Sequence, residues 1–255
     1  MGSVGLLYVG AVLIVNGLML LGRVDARAAA PLNLFVGALQ VFTPTYLIVT
    51  SGGDPDTVLA ASGLYLFGFT YLYVGINLIA GLDGTGLGWF SAFVACCALV
   101  FAGLNLGRLD DPAFGVIWLY WAVLWGLFFL VLGLRREELT RFTGAVAVVA
   151  GVLTCAVPAF LLLTGVWEEN RRTAAIVLAV LCLLSLGLYP RLRGQRPSAT
   201  APAPELREGD REGHSEGHSE GDREGQGEDT GSASPGARVH GNVAQEQRSP
   251  TDRRR

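Results

Sequence analysis

The chain has 255 residues, 51% of them hydrophobic and 16% charged, with a formal net charge of −3 and a mean hydropathy of +0.43. That balance excludes an ordinary soluble domain, and no nucleic-acid partner is expected. Eighteen charged residues precede Pro190, all in short clusters, while the last 65 residues carry the remainder.

The clusters at Arg23/Asp25/Arg27, Asp54/Asp56, Asp83, Arg108 to Asp111, Arg135 to Arg141 and Glu168 to Arg172 divide the body into seven uncharged blocks. The first six run about 22 to 26 residues and the seventh, 173–190, about 18, against the ~20 needed to cross a ~30 Å hydrocarbon core. Backbone polar groups in lipid must be paired within the segment, so blocks of this length predict helices. The expected fold is an all-α integral membrane protein. It has a six-helix domain over 1–168, an additional seventh transmembrane helix over 169–190 and a polar tail over 191–255.

"ARA" at Ala26 to Ala28 has the look of a signal-peptide cleavage site. The start is nevertheless read as a span, because a basic n-region is missing and six more apolar blocks follow. "MGSVGL" fails the myristoylation pattern, with Leu6 where Ser or Thr is wanted. The chain contains no lysine, so orientation rests on arginine. Loops 1–2 and 5–6 and the start of the tail hold Arg23, Arg27, Arg135, Arg136, Arg141, Arg191, Arg193 and Arg196. Loops 2–3, 4–5 and 6–7 hold Arg108, Arg171 and Arg172. The positive-inside bias therefore predicts an outer N-terminus and a cytoplasmic tail at the plasma membrane.

Three passages resemble one another: "NGLMLLGRVD" ends block 1, "INLIAGLD" ends block 3 and "WGLFFLVLGLRREE" ends block 5. They predict a helical hairpin repeated three times, with the seventh helix outside the pattern. Cys96, Cys97, Cys155 and Cys182 all fall inside apolar blocks with no CxxC spacing, and read as small buried hydrophobes. In the tail, Arg207 to Gln226 is five tetrapeptides of the form x-E-G-x, a composition expected to be disordered. His214, His218 and His240 all lie there and read as solvated residues, so no metal site is expected.

An ionisable side chain at the bilayer centre costs roughly 2.5 to 3.5 kcal/mol on insertion scales and is kept for use. The blocks contain none. That removes a general acid/base pair, a histidine metal site and a proton relay, so the sequence predicts neither an enzyme nor a cofactor.

What remains is neutral faces at helical spacing. Leu6, Val9, Leu13 and Asn16 form one stripe. Phe67, Tyr71, Val74 and Leu78 form a second, with Thr70 and Asn77 beside it. Phe114, Trp118, Trp121, Trp125 and Phe128 form a third. Two readings stand at this point. Such a stripe packs a core or meets lipid; alternatively it walls a narrow passage for a small neutral solute, with Asn16, Tyr71 and Thr70 exchanging hydrogen bonds with it. Losing water without replacement costs a polar group on the order of 2 to 7 kcal/mol, so sparse donors and acceptors lower the barrier while an uncharged wall leaves ions uncompensated.

"LLYVGAVLIVNG" (Leu6 to Gly17), "NLFVGAL" (Asn33 to Leu39), "LFGFTYLYVGIN" (Leu66 to Asn77), "IWLYWAVLW" (Ile117 to Trp125) and "GVLTCAVPAFLL" (Gly151 to Leu162) resemble the AmiS/UreI family in order and spacing. The resemblance implies six-helix protomers of three hairpins, packed as a ring of six, each with its own urea or amide path. It assigns that path to Leu6, Val9, Leu13, Asn16, Phe67, Tyr71, Trp118, Trp121, Leu124 and Trp125. Departures accompany it. Ala150 stands before "GVLT" where gated urea channels carry a pore glutamate, and Phe114 stands where another tryptophan is expected. The outer loops "TSGGDPDT" and "GRLDDPAF" are short and hold no histidine, the side chain that switches near pH 6. The expectation is a passive, not acid-gated channel for urea or short-chain amides that feeds a cytoplasmic urease or amidase. The rival reading is a structural or sensory membrane protein acting through its tail.

Overall fold

The structure, a computed structural model, describes residues 2–167, 170–187 and 189–192. The chain divides into two units, Met1–Ala203 and Pro204–Arg255, and the second lies outside the described residues. So does the tail expected from Arg191, but for Arg191 and Leu192, with its x-E-G-x repeats and three histidines.

Among the described residues six helices are long and apolar enough to cross a membrane. They are α1 (Gly2–Leu20), α2 (Ala26–Thr50), α3 (Pro55–Ala80), α4 (Thr85–Gly107), α5 (Pro112–Gly133) and α6 (Glu137–Leu163). A shorter helix, α7 (Arg171–Leu186), and a single turn, α8 (Tyr189–Leu192), follow.

The charged clusters that divide the sequence also start the helices. Carboxylates of Asp25, Asp54, Asp83 and Asp111 accept the amides of Arg27 (2.8 Å), Thr57 (2.8 Å), Thr85 (2.8 Å) and Phe114 (3.0 Å), satisfying donors that the first helical turn leaves free. The three repeated passages end in a common backbone turn, with Gly22 (φ 74°), Gly81 (φ 65°) and Arg135 (φ 55°) in the left-handed region. Glycine takes that conformation without a Cβ clash. Arg135 adopts it with a Cβ, and its guanidinium pairs with Asp83 in the neighbouring loop at 3.1 Å.

The second helix of each hairpin repeats as well. Asn33, Ser91 and Thr143 are buried, and three residues on Val36, Val94 and Val146 are buried too. Close seams join the hairpins to one another. A Cβ placed on Gly10 would lie 2.8 Å from the Gly151 carbonyl oxygen, and one on Gly17 would lie 2.6 Å from that of Gly144, so α1 and α6 touch backbone to backbone. Small residues at membrane helix interfaces permit this approach. Gly68 and Gly37 do the same for α2 and α3.

Two stretches depart from α geometry: Phe129–Gly133 in α5 and Gly151–Ala156 in α6 are π-helical. The second sits just before Pro158, whose ring lacks an N–H and collides with the carbonyl of a regular preceding turn.

The seventh helix, expected over 169–190, is α7, whose 16 residues run from Arg171 to Leu186. Ala175, Leu178, Cys182 and Ser185 are its buried face, while Ile176, Val180, Leu183 and Leu184 point outward. The reading of all four cysteines as buried needs correcting. Cys155 and Cys182 are buried, but Cys96 is exposed and Cys97 half-buried, since both fall on the outer face of α4. An apolar residue inside a span is free to face lipid rather than the core, so hydropathy alone does not place it.

Candidate solute path

The three stripes meet. The ten residues singled out from the sequence all lie on α1, α3 and α5, and all ten are buried: Leu6, Val9, Leu13, Asn16, Phe67, Tyr71, Trp118, Trp121, Leu124 and Trp125. Leu124 is the one that helical spacing sets beside Ile117 and Tyr120, about one position off the indole stripe. At the centre the Phe67 ring stands edge-on to two indoles, 4.7 Å from Trp121 at 76° and 5.0 Å from Trp125 at 88°. Trp118 completes the cluster, 6.0 Å from Phe67 and 4.9 Å from Trp121, with its outer face stacked on Phe101 at 4.6 Å.

Cavities open on either side of this cluster. One, of about 360 Å³, is lined by Leu6, Ala61, Leu64 and Phe114 near the N-terminal end of α1. The other, of about 280 Å³, is lined by Leu13, Asn16, Tyr71, Asn77, Ser91 and Trp125 among aliphatic neighbours. Val9, Phe67, Trp118 and Trp121 line neither and fill the space between. Pockets for drug-sized ligands run about 300–1,000 Å³; these two sit near the lower end, a size for a solute of a few heavy atoms.

Two of the three inward indoles are held by a threonine. Trp121 Nε1 donates to Thr154 Oγ1 at 2.9 Å and Trp125 Nε1 to Thr70 Oγ1 at 3.3 Å. Both hydroxyls in turn donate to a carbonyl one helical turn back, Ala150 O and Leu66 O, at 2.6 Å each. Thr70, one of the three groups expected to meet a solute, is therefore already engaged. So is Asn16, whose amide exchanges two hydrogen bonds with Asn33 (2.9 and 2.7 Å); Asn33 also donates to Ala29 O.

Tyr71 differs. Its hydroxyl is buried without a hydrogen-bond partner among the described residues, and so are both amide atoms of Asn77. The two residues line the same 280 Å³ cavity. Helical spacing sets Asn77 only beside the second stripe, and by itself gives Asn33 and Thr154 no role. The signal for Asn33 was available, as a polar residue at one register position of every hairpin, shared with Ser91 and Thr143.

Charge is kept to the helix ends. Arg108 pairs with Asp56, and Arg171 lies 3.6 Å from Asp111. The Thr57 hydroxyl, and then its amide, hold the exposed Asp54 carboxyl below the usual range; Thr85 does the same for Asp83, with help from Arg135. Among the described residues no three His, Cys, Asp or Glu side chains cluster as a metal site would require.

A bundle of six apolar helices around a neutral aromatic interior defines a polytopic membrane protein. The profile described as AmiS/UreI family transporter matches residues 1–166, and the chain belongs to that family. It is 58% identical over 204 residues to the putative transporter protein AmiS2 of Rhodococcus erythropolis, covering 80% of this chain and 98% of that one. It is 56% identical over 205 residues to a putative amidate substrates transporter protein of Mycolicibacterium smegmatis, covering 80% and 96%. The acid-activated urea channel of Helicobacter pylori (strain 26695) is 35% identical over 191 residues, covering 64% and 97%. The cryoEM structure of the Helicobacter pylori urea channel in its closed state superposes with a TM-score of 0.60 at 36% identity, over 66% of this chain and all of that one.

Proposed function

We propose that this protein is a passive, not acid-gated membrane channel for urea or short-chain aliphatic amides, supplying a cytoplasmic urease or amidase. The observation that carries the reading is a pair of polar groups unpartnered among the described residues, the Tyr71 hydroxyl and the Asn77 amide, in residues that line one cavity inside a largely apolar bundle. A buried polar group without a partner costs about 1–3 kcal/mol, and a transient solute gives that cost a use. A planar amide offers what the pair lacks: a carbonyl for a donor and N–H groups for an acceptor.

On this reading Leu6, Val9, Leu13, Asn16, Phe67, Tyr71, Trp118, Trp121, Leu124 and Trp125 form the path. The aromatic cluster is its narrow section, and the cavities are the solute's resting places on either side. A ring of indole and phenyl edges excludes ions, because it returns nothing for a lost hydration shell. Asn16 positions the wall through Asn33 and keeps one N–H for the solute. The arginine bias supports an outer N-terminus, and the family supports assembly as a ring of six. The 16-residue α7 is read as a further membrane helix and residues beyond 192 as a cytoplasmic tail.

Stopped-flow light scattering on proteoliposomes tests the proposal, with urea and acetamide compared at pH 7.5 and pH 5.5. Saturation-free uptake well above empty liposomes at both pH values, altered in Trp121→Ala and Trp125→Ala, is expected. Uptake no faster than empty liposomes, from protein shown to be folded, would sink it.

A further inference from the structure

The helix α7 lies beyond the span matched by the family profile, which ends at residue 166. A match of 204 residues within a chain of 255 nevertheless has to include Arg171–Leu186, so the actinobacterial relatives carry a counterpart of it. It rests on α5, the helix that presents three indoles inward. Its buried face, Ala175, Leu178, Cys182 and Ser185, follows spacings of three, four and three. At one point the contact is polar: Tyr120 Oη and Ser185 Oγ lie 2.6 Å apart in a buried hydrogen bond, and the serine also donates to Cys182 O.

Tyr120 stands on the back of α5. At 100° per residue it lies more than a third of a turn from the line through Trp118, Trp121 and Trp125. A second tie holds the start of the same helix. Asp111 caps α5 through the Phe114 amide at 3.0 Å, and its other oxygen accepts the Trp167 indole at 3.3 Å and faces Arg171 at 3.6 Å. Trp167 precedes α7 and Arg171 is its first residue. A third contact, Phe142 against Tyr189 with ring centroids 5.2 Å apart, ties α8, which follows α7, to α6.

We propose that α7 is a clamp that fixes the rotation of α5 about its axis, with Tyr120 and Ser185 as positioning residues for the indole wall. The inference rests on the reading of that wall as a solute path. The front of α5 is held by the Trp121 and Trp125 hydrogen bonds, and the tie to α7 adds a restraint from its back. A buried hydroxyl pair at 2.6 Å is directional. A rotation that breaks it also carries the Trp121 and Trp125 N–H groups away from Thr154 and Thr70, so front and back of α5 report on one coordinate.

The test uses the full chain in proteoliposomes with urea and acetamide as probes, in Ser185→Ala, Tyr120→Phe and Ser185→Thr. The long-wavelength near-ultraviolet circular dichroism of the indoles is read alongside uptake. The expected result is a several-fold change in the acetamide-to-urea uptake ratio and an altered indole band in Ser185→Ala and Tyr120→Phe. Both are restored in Ser185→Thr, which keeps the hydroxyl. An unchanged band in folded Ser185→Ala, or an altered band with an unchanged ratio, overturns the proposal. Wild-type protein that carries neither solute while the band still moves in the variants would support the clamp and overturn the path reading alone.

Discussion

The Trp121 indole donates to the Thr154 hydroxyl at 2.9 Å, across 33 residues of sequence and out of a π-helical turn. That turn places the threonine where it meets the ring, and the ring is thereby held edge-on to Phe67. Thr154→Val keeps the volume and leaves a buried N–H without an acceptor. It is expected to lower stability by about 1–3 kcal/mol, read as a lower thermal midpoint in detergent, whereas Thr154→Ser holds close to wild type.

Tyr71 is expected to behave in the opposite sense. Its hydroxyl has no partner among the described residues, so Tyr71→Phe should leave stability unchanged or raise it by up to about 1–3 kcal/mol while slowing amide uptake. Loss of stability and uptake together would show the hydroxyl to be part of the packing.

For Asn16 and Asn33 a double-mutant cycle is informative. Replacing either alone by leucine strands a buried amide at a cost of about 1–3 kcal/mol, whereas the double variant should cost clearly less than the sum. Additive effects in chemical denaturation would contradict the paired geometry.

The seam between α1 and α6 is equally open to test. Gly17→Ala would set a Cβ 2.6 Å from the Gly144 carbonyl oxygen, and neither backbone can yield cheaply. Overpacking of this kind costs about 1–3 kcal/mol or more, so little folded protein is expected in the membrane fraction. Gly126→Ala, with nothing within 4 Å, should express normally.

The capping carboxylates bear on pH. Asp54 and Asp83 have lowered pKa values in the folded chain, so the stability they contribute is present above the unfolded value of about 3.9 and lost as pH falls through the lower folded one. Neither changes charge between pH 7.5 and 5.5. Thermal midpoint and uptake should therefore be flat across that window; a rise in uptake at pH 5.5 would mean that another group gates the path.

Much of the architecture was legible in the chain itself. Charge clusters set the helix limits, because a charge is costly in hydrocarbon, and their aspartates became the caps. The stripes of α1, α3 and α5 were readable because a helix repeats every 3.6 residues, so Leu6 and Leu13, or Trp118 and Trp125, share a side whatever surrounds them.

Which polar groups stay free was decided only in three dimensions. Asn16, Thr70 and Tyr71 look alike as polar residues on inward stripes, yet Asn16 finds Asn33, Thr70 receives the Trp125 indole and Tyr71 finds no partner among the described residues. Hydrogen bonds act over about 3 Å, and the partners come from other helices, brought within reach by glycine seams and a π-turn. Periodicity fixes the side of a helix on which a residue lies. The depth and rotation of the helix facing it come from packing, and packing settles whether a hydroxyl is part of the wall or available to a solute.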